Sequence, residues 1–491
     1  MQGKSYKPFQ VLLFVLATMS VLALMSYFYN REDWKLGGVE LRFLSWNKAL
    51  HPKSKKMKDI SSFIAEVDTS LTEIPVDSLV KHQNVAGSFG APGKGRVIKE
   101  SATKIYLNES GKTSLHAFFA KLSQAAGAKR KVRMLHYGDS QIEGDRMTAF
   151  IRQRMQERFG GNGPGTIPAL NVYNTISFVQ SCSENFERYT AFGGKSLKSA
   201  QYGAMCTAAR FTPEYQDSAQ RAALTGEQEG WIEIAPSTSG YSRTRSYSNV
   251  KLYYTDCQEP CFLQVYRNGN LVHEDSLKND GNYHVLPLSF GDQAGKMKYV
   301  FKSKVSPTIL GFGLEGDYGL QVDNIAMRGS SGTFFGKVNQ TVMAKMYQDM
   351  NVELVIMQFG GNSVPYMKDS VAAVNYARYF KSQLNRIKRL KPGAAIIVIG
   401  PSDMSQYVEE VYETYPILPT LIELMKKYSL EAGAGYWNLY EAMGGINSMP
   451  SWVERGLAAK DYVHFSNKGA SIASQLFYEA FMAEYAKWEK L

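Results

Sequence analysis

The sequence predicts an α/β chain whose parallel sheet is interrupted by an inserted all-β domain and preceded by a membrane-anchoring helix. Three observations carry this. Apolar runs such as "KVRMLHYG", "VELVIMQF" and "AAIIVIG" alternate with helical periodicity before residue 170 and again after 323, the pattern of strands buried in a parallel sheet. From 171 to 322 short, turn-bounded, often alternating segments follow one another, as in a sandwich or jelly roll. Residues 9–29 carry no charge over the length a helix needs to cross a bilayer.

Lys4 and Lys7 precede that apolar segment, and Arg31 and Lys35 follow it among Glu32 and Asp33. This balance favours a cytoplasmic tail over 1–8 and an exported body. A cleaved signal peptide is the rival, since "ALM-S" resembles a poor cleavage site. No cysteine precedes Cys182, which excludes a lipoprotein anchor. Residues 30–130 are expected to be a juxtamembrane and N-terminal extension, with one short helix at "ISSFIAEVDTSL" between basic loops.

"TSLHAFFAKLSQAAGA" places Leu115, Phe118, Phe119 and Leu122 on one helical face. "KVRMLHYGDS" is a strand running into a turn. "MTAFIRQRMQERF" is helical again and ends at "GGNGPG". Residues 131–170 thus form the first part of the α/β domain. In the β block, 171–322, "RNGN" suits a type I′ hairpin. The α/β pattern resumes over 323–491, where "VELVIMQFGGNS" and "AAIIVIGPSD" are buried strands. A helix with Tyr376, Phe380, Leu384 and Ile387 on one apolar face follows the first, "LPTLIELMKKYSL" is another, and "ASIASQLFYEAFMAEYAKW" closes the chain.

Four cysteines, Cys182, Cys206, Cys257 and Cys261, suggest one or two disulfides in an exported chain, with "CQEPC" a short loop whose ends can be bridged. Zinc, helped by His273 and His284, is the alternative, but the spacing matches no common zinc pattern. The net charge of +11 suits anionic polymers or phospholipid surfaces. No arginine-rich run or aromatic RNA motif supports nucleic-acid binding.

In parallel α/β sheets, sites form beyond the carboxyl ends of the strands. Three polar clusters fall there: Gly138-Asp139-Ser140, Gly360-Gly361-Asn362, and "DYVHFS" with Asp461 and His464. They supply a nucleophile, a base, a group to orient the base and an oxyanion donor. On its own, Gly-Asp-Ser also fits a plain turn in which Ser140 caps a helix and Glu143 completes a capping box. His136, on the strand before Ser140, is expected to be packed rather than catalytic.

These blocks resemble the SGNH/GDSL hydrolases. Gly-Asp-Ser at 138–140, Gly-x-Asn at 360–362 and Asp-x-x-His at 461–464 match the family's first, third and fifth blocks in order. The second-block glycine is Gly329 in "NIAMRGSSG", with Gly193 and Gly194 of "AFGGKS" as competitors; Gly329 follows the β insertion, as the family's order requires. The third block departs at Ser363, where the family often has Asp. The resemblance implies a flavodoxin-like parallel sheet with helices on both faces. It implies catalysis by Ser140, His464 and Asp461, an oxyanion hole from the amides of Ser140 and Gly329 and the side chain of Asn362, and no metal or cofactor. Ser140 is placed at a helix N-terminus, whose dipole favours negative charge.

An anchored chain of this kind with a β insertion is similar to bacterial peptidoglycan O-acetylesterases, whose insert resembles a carbohydrate-binding module. Tyr241, Tyr247, Tyr253, Tyr254 and Tyr266 are candidates for stacking on sugars or for ordinary strand positions. The expected activity is an esterase on an O-acetylated envelope polysaccharide, with the body periplasmic or otherwise extracytoplasmic. The alternatives are an O-acetyltransferase using the same residues and a non-enzymatic glycan-binding envelope protein.

Overall fold

The computed structural model describes residues 7–28, 34–36, 39–41, 57–58 and 104–491, apart from 216 and 292–294. The helix expected within "ISSFIAEVDTSL" lies outside these. At the N-terminus, helix α1 (Pro8–Phe28) covers the apolar segment, and Trp34–Leu36 pairs antiparallel with Val39–Leu41. An 18-residue window of α1, Pro8–Met25, has mean hydropathy 2.1, so the helix is long and apolar enough to cross a membrane. A signal sequence has the same length and composition.

In the main body, six strands form one sheet: β1 (Ile105–Tyr106), β2 (Lys131–Gly138), β3 (Gly319–Ala326), β4 (Val352–Gln358), β5 (Ala395–Ile399) and β6 (Gly435–Trp437). Their order is β3-β2-β4-β5-β6-β1, parallel throughout except for the antiparallel edge strand β1. Side chains alternate across it. Val132, Met134, Leu354 and Ile356 pack with helices α2 (Glu109–Gln124), α3 (Thr148–Phe159) and α7 (Asn467–Trp488). Leu135, Tyr137, Val355 and Met357 point the other way, onto α4 (Gln340–Asp349), α5 (Ser370–Leu390) and α6 (Leu418–Glu431). Strands apolar on both faces therefore read as unbroken hydrophobic runs.

Between α3 and β3 the chain builds two further antiparallel sheets. Their inward residues, including Ile232, Leu252, Leu263, Phe301 and Phe312, form a separate sandwich core. "RNGN" closes the hairpin of Cys261–Arg267 with Asn270–Leu277, and both Asn268 (φ 50°) and Gly269 (φ 88°) take the positive φ a type I′ turn needs. The exchange between sheets falls earlier than the sequence boundaries of 171 and 322. Gly165–Ile167 already pairs with Thr308–Glu315, and Gly319 already pairs with Lys131 of β2. The shift follows from "GGNGPG", which turns the chain out of α3 directly into the sandwich.

A buried charge cluster joins the insert to the sheet. Arg133 of β2 donates to both carboxylate oxygens of Asp323 on β3 (2.7 and 2.8 Å), to Thr166 (3.0 Å) and to the Met350 carbonyl (3.0 Å). It also pairs with Glu315, the last residue of an insert strand, which Lys131 reaches at 2.8 Å.

The four cysteines are free thiols. This corrects the expected bridges, Cys257–Cys261 included. Cys257 and Cys261 pack in the sandwich core as small apolar groups, and burial pushes the Cys257 thiol up to about 12. Among the described residues no cluster of His, Cys, Asp and Glu is arranged for a metal, and His284 is instead paired with Asp280 at 2.7 Å. Of the five tyrosines named above, Tyr247 and Tyr254 are buried in the sandwich core, Tyr253 is buried in the core beside the parallel sheet, and Tyr241 and Tyr266 are half-buried.

Candidate active site

Strand β2 ends at Gly138, where a Cβ would lie 2.9 Å from the Ile142 side chain, so the turn after it closes tightly only on glycine. Ser140 opens a 3₁₀ turn, Ser140–Asp145, broken at Glu143 and Gly144 (φ 68°). Asp139, not Ser140, caps it: the Asp139 carboxylate accepts the Gln141 N–H at 3.0 Å. The capping-box alternative is therefore not formed, and the Ser140 hydroxyl is left for another partner. The expected helix dipole at Ser140 is corrected too, because α3 begins only at Thr148, eight residues on.

That partner is His464, whose Nε2 lies 2.7 Å from Ser140 Oγ across 324 residues of sequence. The His464 Nδ1 is 2.8 Å from Asp461 Oδ2, while Asp461 Oδ1 accepts the N–H groups of Val463 and His464 at 3.0 Å each. Burial raises the Asp461 pKa, but these hydrogen bonds outweigh it, so the carboxyl titrates below its usual value and stays ionised at neutral pH. Two residues fasten the His464 loop to the nucleophile's turn. Gln141 donates to the Val463 carbonyl (2.7 Å) and accepts the Phe465 N–H (3.2 Å), and Arg146 donates to the carbonyls of Ser140 (2.7 Å) and Phe465 (3.0 Å).

Ser140, His464, Gly329 and Asn362 line one cavity of about 280 Å³. Gly329 (φ 74°) lies on the turn after β3, and a Cβ there meets nothing closer than 4.0 Å, so backbone conformation rather than space favours glycine. Among the described residues the N–H groups of Ser140 and Gly329 have no protein acceptor. Asn362 Nδ2 donates to the Ser330 carbonyl (3.0 Å) and to Asp139 (3.1 Å), which ties three turns together around the nucleophile. Asp139 is buried, and desolvation raises its pKa to about 6 against the pull of its hydrogen bonds and nearby cations. Gly193 and Gly194 do not line this cavity. His136 is packed as expected: its ring nitrogens meet Gln358 and Thr148 at 3.0 and 2.9 Å, and burial lowers its pKa to about 4.

The chain superposes on a solved structure over most of its length. A peptidoglycan O-acetylesterase superposes with TM-score 0.62 at 21% identity, over 78% of this chain and 99% of its own. The fold is that of the SGNH hydrolases. Because 78% of the chain exceeds everything outside the β insert, the likeness to this structure runs into the insert as well. A family two carbohydrate esterase from Clostridium thermocellum (12% identity, 53% of this chain and 93% of its own, TM-score 0.21) and a putative GDSL-like lipase from Parabacteroides merdae (13%, 33% and 73%, TM-score 0.25) superpose far more loosely. By sequence, no protein-family model and no curated protein matches the chain.

Sequence reasoning missed two residues on or beside this site. Gln141 sits next to the motif, but its reach to Val463 and Phe465 is a tertiary fact. Tyr366 lines the cavity and is 83% exposed. An exposed ring in a run such as "SVPYMK" has no pattern that separates it from an ordinary loop tyrosine.

Proposed function

We propose that this chain is a membrane-anchored, extracytoplasmic serine esterase that removes O-acetyl groups from an envelope polysaccharide such as peptidoglycan. The observation that carries the reading is the 2.7 Å contact between Ser140 Oγ and His464 Nε2, with Asp461 on the far side of the ring. Ser140 attacks the acetyl carbonyl, and His464 takes its proton. Asp461 keeps Nδ1 protonated, so that Nε2 is the basic nitrogen, and stabilises the imidazolium. The N–H groups of Ser140 and Gly329 and the amide of Asn362 receive the oxyanion; one Asn362 N–H exchanges its present acceptor for it. His464 then protonates the leaving sugar alkoxide, and water repeats the sequence on the acetyl-serine.

The likeness to a peptidoglycan O-acetylesterase supports the substrate class. The +11 charge suits an acidic wall polymer, and α1 supports an anchor with Lys4 and Lys7 on the cytoplasmic side.

The test uses the full chain in detergent with O-acetylated peptidoglycan, other acetylated glycans and p-nitrophenyl acetate, beside Ser140→Ala. Acetate release that needs Ser140 and prefers peptidoglycan is the expected result. Acyl transfer to added oligosaccharide in excess of hydrolysis would replace the esterase with a transferase, and equal silence of both proteins would end the reading.

A further inference from the structure

A second cavity lies beside the one holding Ser140. Its walls include Gly144 and Asp145 from the nucleophile's turn, Asn324 from β3, and Tyr173, Arg188 and Thr207 from the insert. Arg188 and Thr207 sit on paired antiparallel strands, with Arg188 opposite Ala209 and Thr190 opposite Thr207. That register puts both side chains on one face, as diagonal neighbours. Both carry a buried polar atom without a partner, Nε of Arg188 and Oγ1 of Thr207. Both side chains therefore line one cavity with unmet hydrogen-bonding capacity.

The charge balance points the same way. Arg152 also lines the cavity, but Asp145 meets both of its Nη atoms (2.6 and 3.2 Å) and the Val322 carbonyl takes its Nε at 2.6 Å. Among the described residues Arg188 has no ion pair, and burial pulls its guanidinium below its usual pKa, as for a cation without a counter-charge. The space, about 50 Å³, holds a few water-sized groups and no sugar ring. A guanidinium fork and one hydroxyl suit the two oxygens of a carboxylate.

This cavity neighbours the nucleophile. Ser140 and Gly144 are four residues apart on one turn, so their Cα atoms lie within about 14 Å. Arg328, next to Gly329, stacks over the Tyr173 ring at 5.4 Å and pairs with Glu143 at 3.3 Å, which links the turn after β3 to the nucleophile's turn and to a wall of this cavity.

We propose that the Arg188–Thr207 cavity is a carboxylate subsite. It holds an acidic substituent of the same polymer whose ester reaches Ser140, and so selects acidic over neutral acetylated glycans; this last clause rests on the esterase reading. The measurement is calorimetric titration of full-length Ser140→Ala in detergent with an N-acetylmuramyl peptide carrying free carboxylates, and with its methyl ester. Masking the carboxylates is expected to weaken binding about tenfold or more. Adding Arg188→Met removes that difference, Arg188→Lys restores part of it, and the near-isosteric Thr207→Val reduces it.

Equal binding of acid and ester, an unchanged preference in Arg188→Met, or loss of ester binding in both variants would overturn the proposal. Competition by phosphate stronger than by acetate would overturn the choice of carboxylate. The titration needs no turnover. A chain that binds the acid through Arg188 yet hydrolyses no ester refutes the esterase and leaves the subsite standing; an active esterase with equal affinities does the reverse.

Discussion

The Asn362 amide donates to the Asp139 carboxylate at 3.1 Å, so the residue beside the nucleophile holds a side chain on the opposite wall of the cavity. Asp139 itself is buried, and desolvation raises its pKa to about 6. A carboxyl whose pKa is higher folded than unfolded contributes stability below its unfolded value, near 4, and that contribution is lost as pH rises through about 6. Replacing Asp139 by Asn removes this pH dependence. Between pH 4 and 7 the stability of the native chain is expected to fall relative to Asp139→Asn by about 2 kcal/mol, read from denaturant midpoints at each pH. Parallel profiles for the two proteins would refute the raised pKa.

Asn362→Ala removes one proposed oxyanion donor. The expected loss is roughly 10²–10³ in kcat, with KM little changed, because the interaction strengthens only as charge develops on the oxygen. Steady-state kinetics on p-nitrophenyl acetate measure it, and a change confined to KM would place Asn362 in ground-state binding instead.

Ser140→Ala and His464→Ala are each expected to lower kcat by at least ~10³, and the double substitution to cost little more than either alone. Groups that act as one unit fail together. Independent, multiplying losses would show that the 2.7 Å contact is not used in turnover.

Arg133→Met leaves Glu315 and Asp323 buried without their cation. Desolvation alone raises the Glu315 pKa, but Arg133 and its lysine neighbours hold it down at about 2. Breaking such a pair is expected to cost about 3–5 kcal/mol, visible as a lower urea midpoint. A neutral outcome would mean that Lys131, at 2.8 Å from Glu315, suffices.

The α/β architecture was legible because β2, β4 and β5 are apolar on both faces and so appear as continuous hydrophobic runs. The Ser140, Asn362 and His464 blocks were legible because each follows or flanks such an element in a fixed order. Other features depend on packing that composition does not encode. Cys257 and Cys261 have a bridgeable spacing, yet they fill the sandwich core as thiols. Three of the five tyrosines suggested for sugar stacking are buried, Tyr247 and Tyr254 in the sandwich and Tyr253 beside the parallel sheet, which depends on tertiary packing. The dipole expected at Ser140 was misplaced because "GDSQIEGD" makes a broken turn before α3 begins, and Gly144 is the local sign of that break. Arg188 and Thr207 carried no signal at all, since their meeting depends on the pairing of two insert strands.

The base and its orienting carboxylate lie within the last 31 residues, whereas the nucleophile is complete by residue 140. During synthesis the serine emerges first and waits for most of the chain to follow. A product truncated before residue 461 has the Ser140 hydroxyl without the imidazole of His464 beside it. The distance along the chain therefore acts as a built-in delay, and the proposed chemistry starts only once synthesis has passed His464.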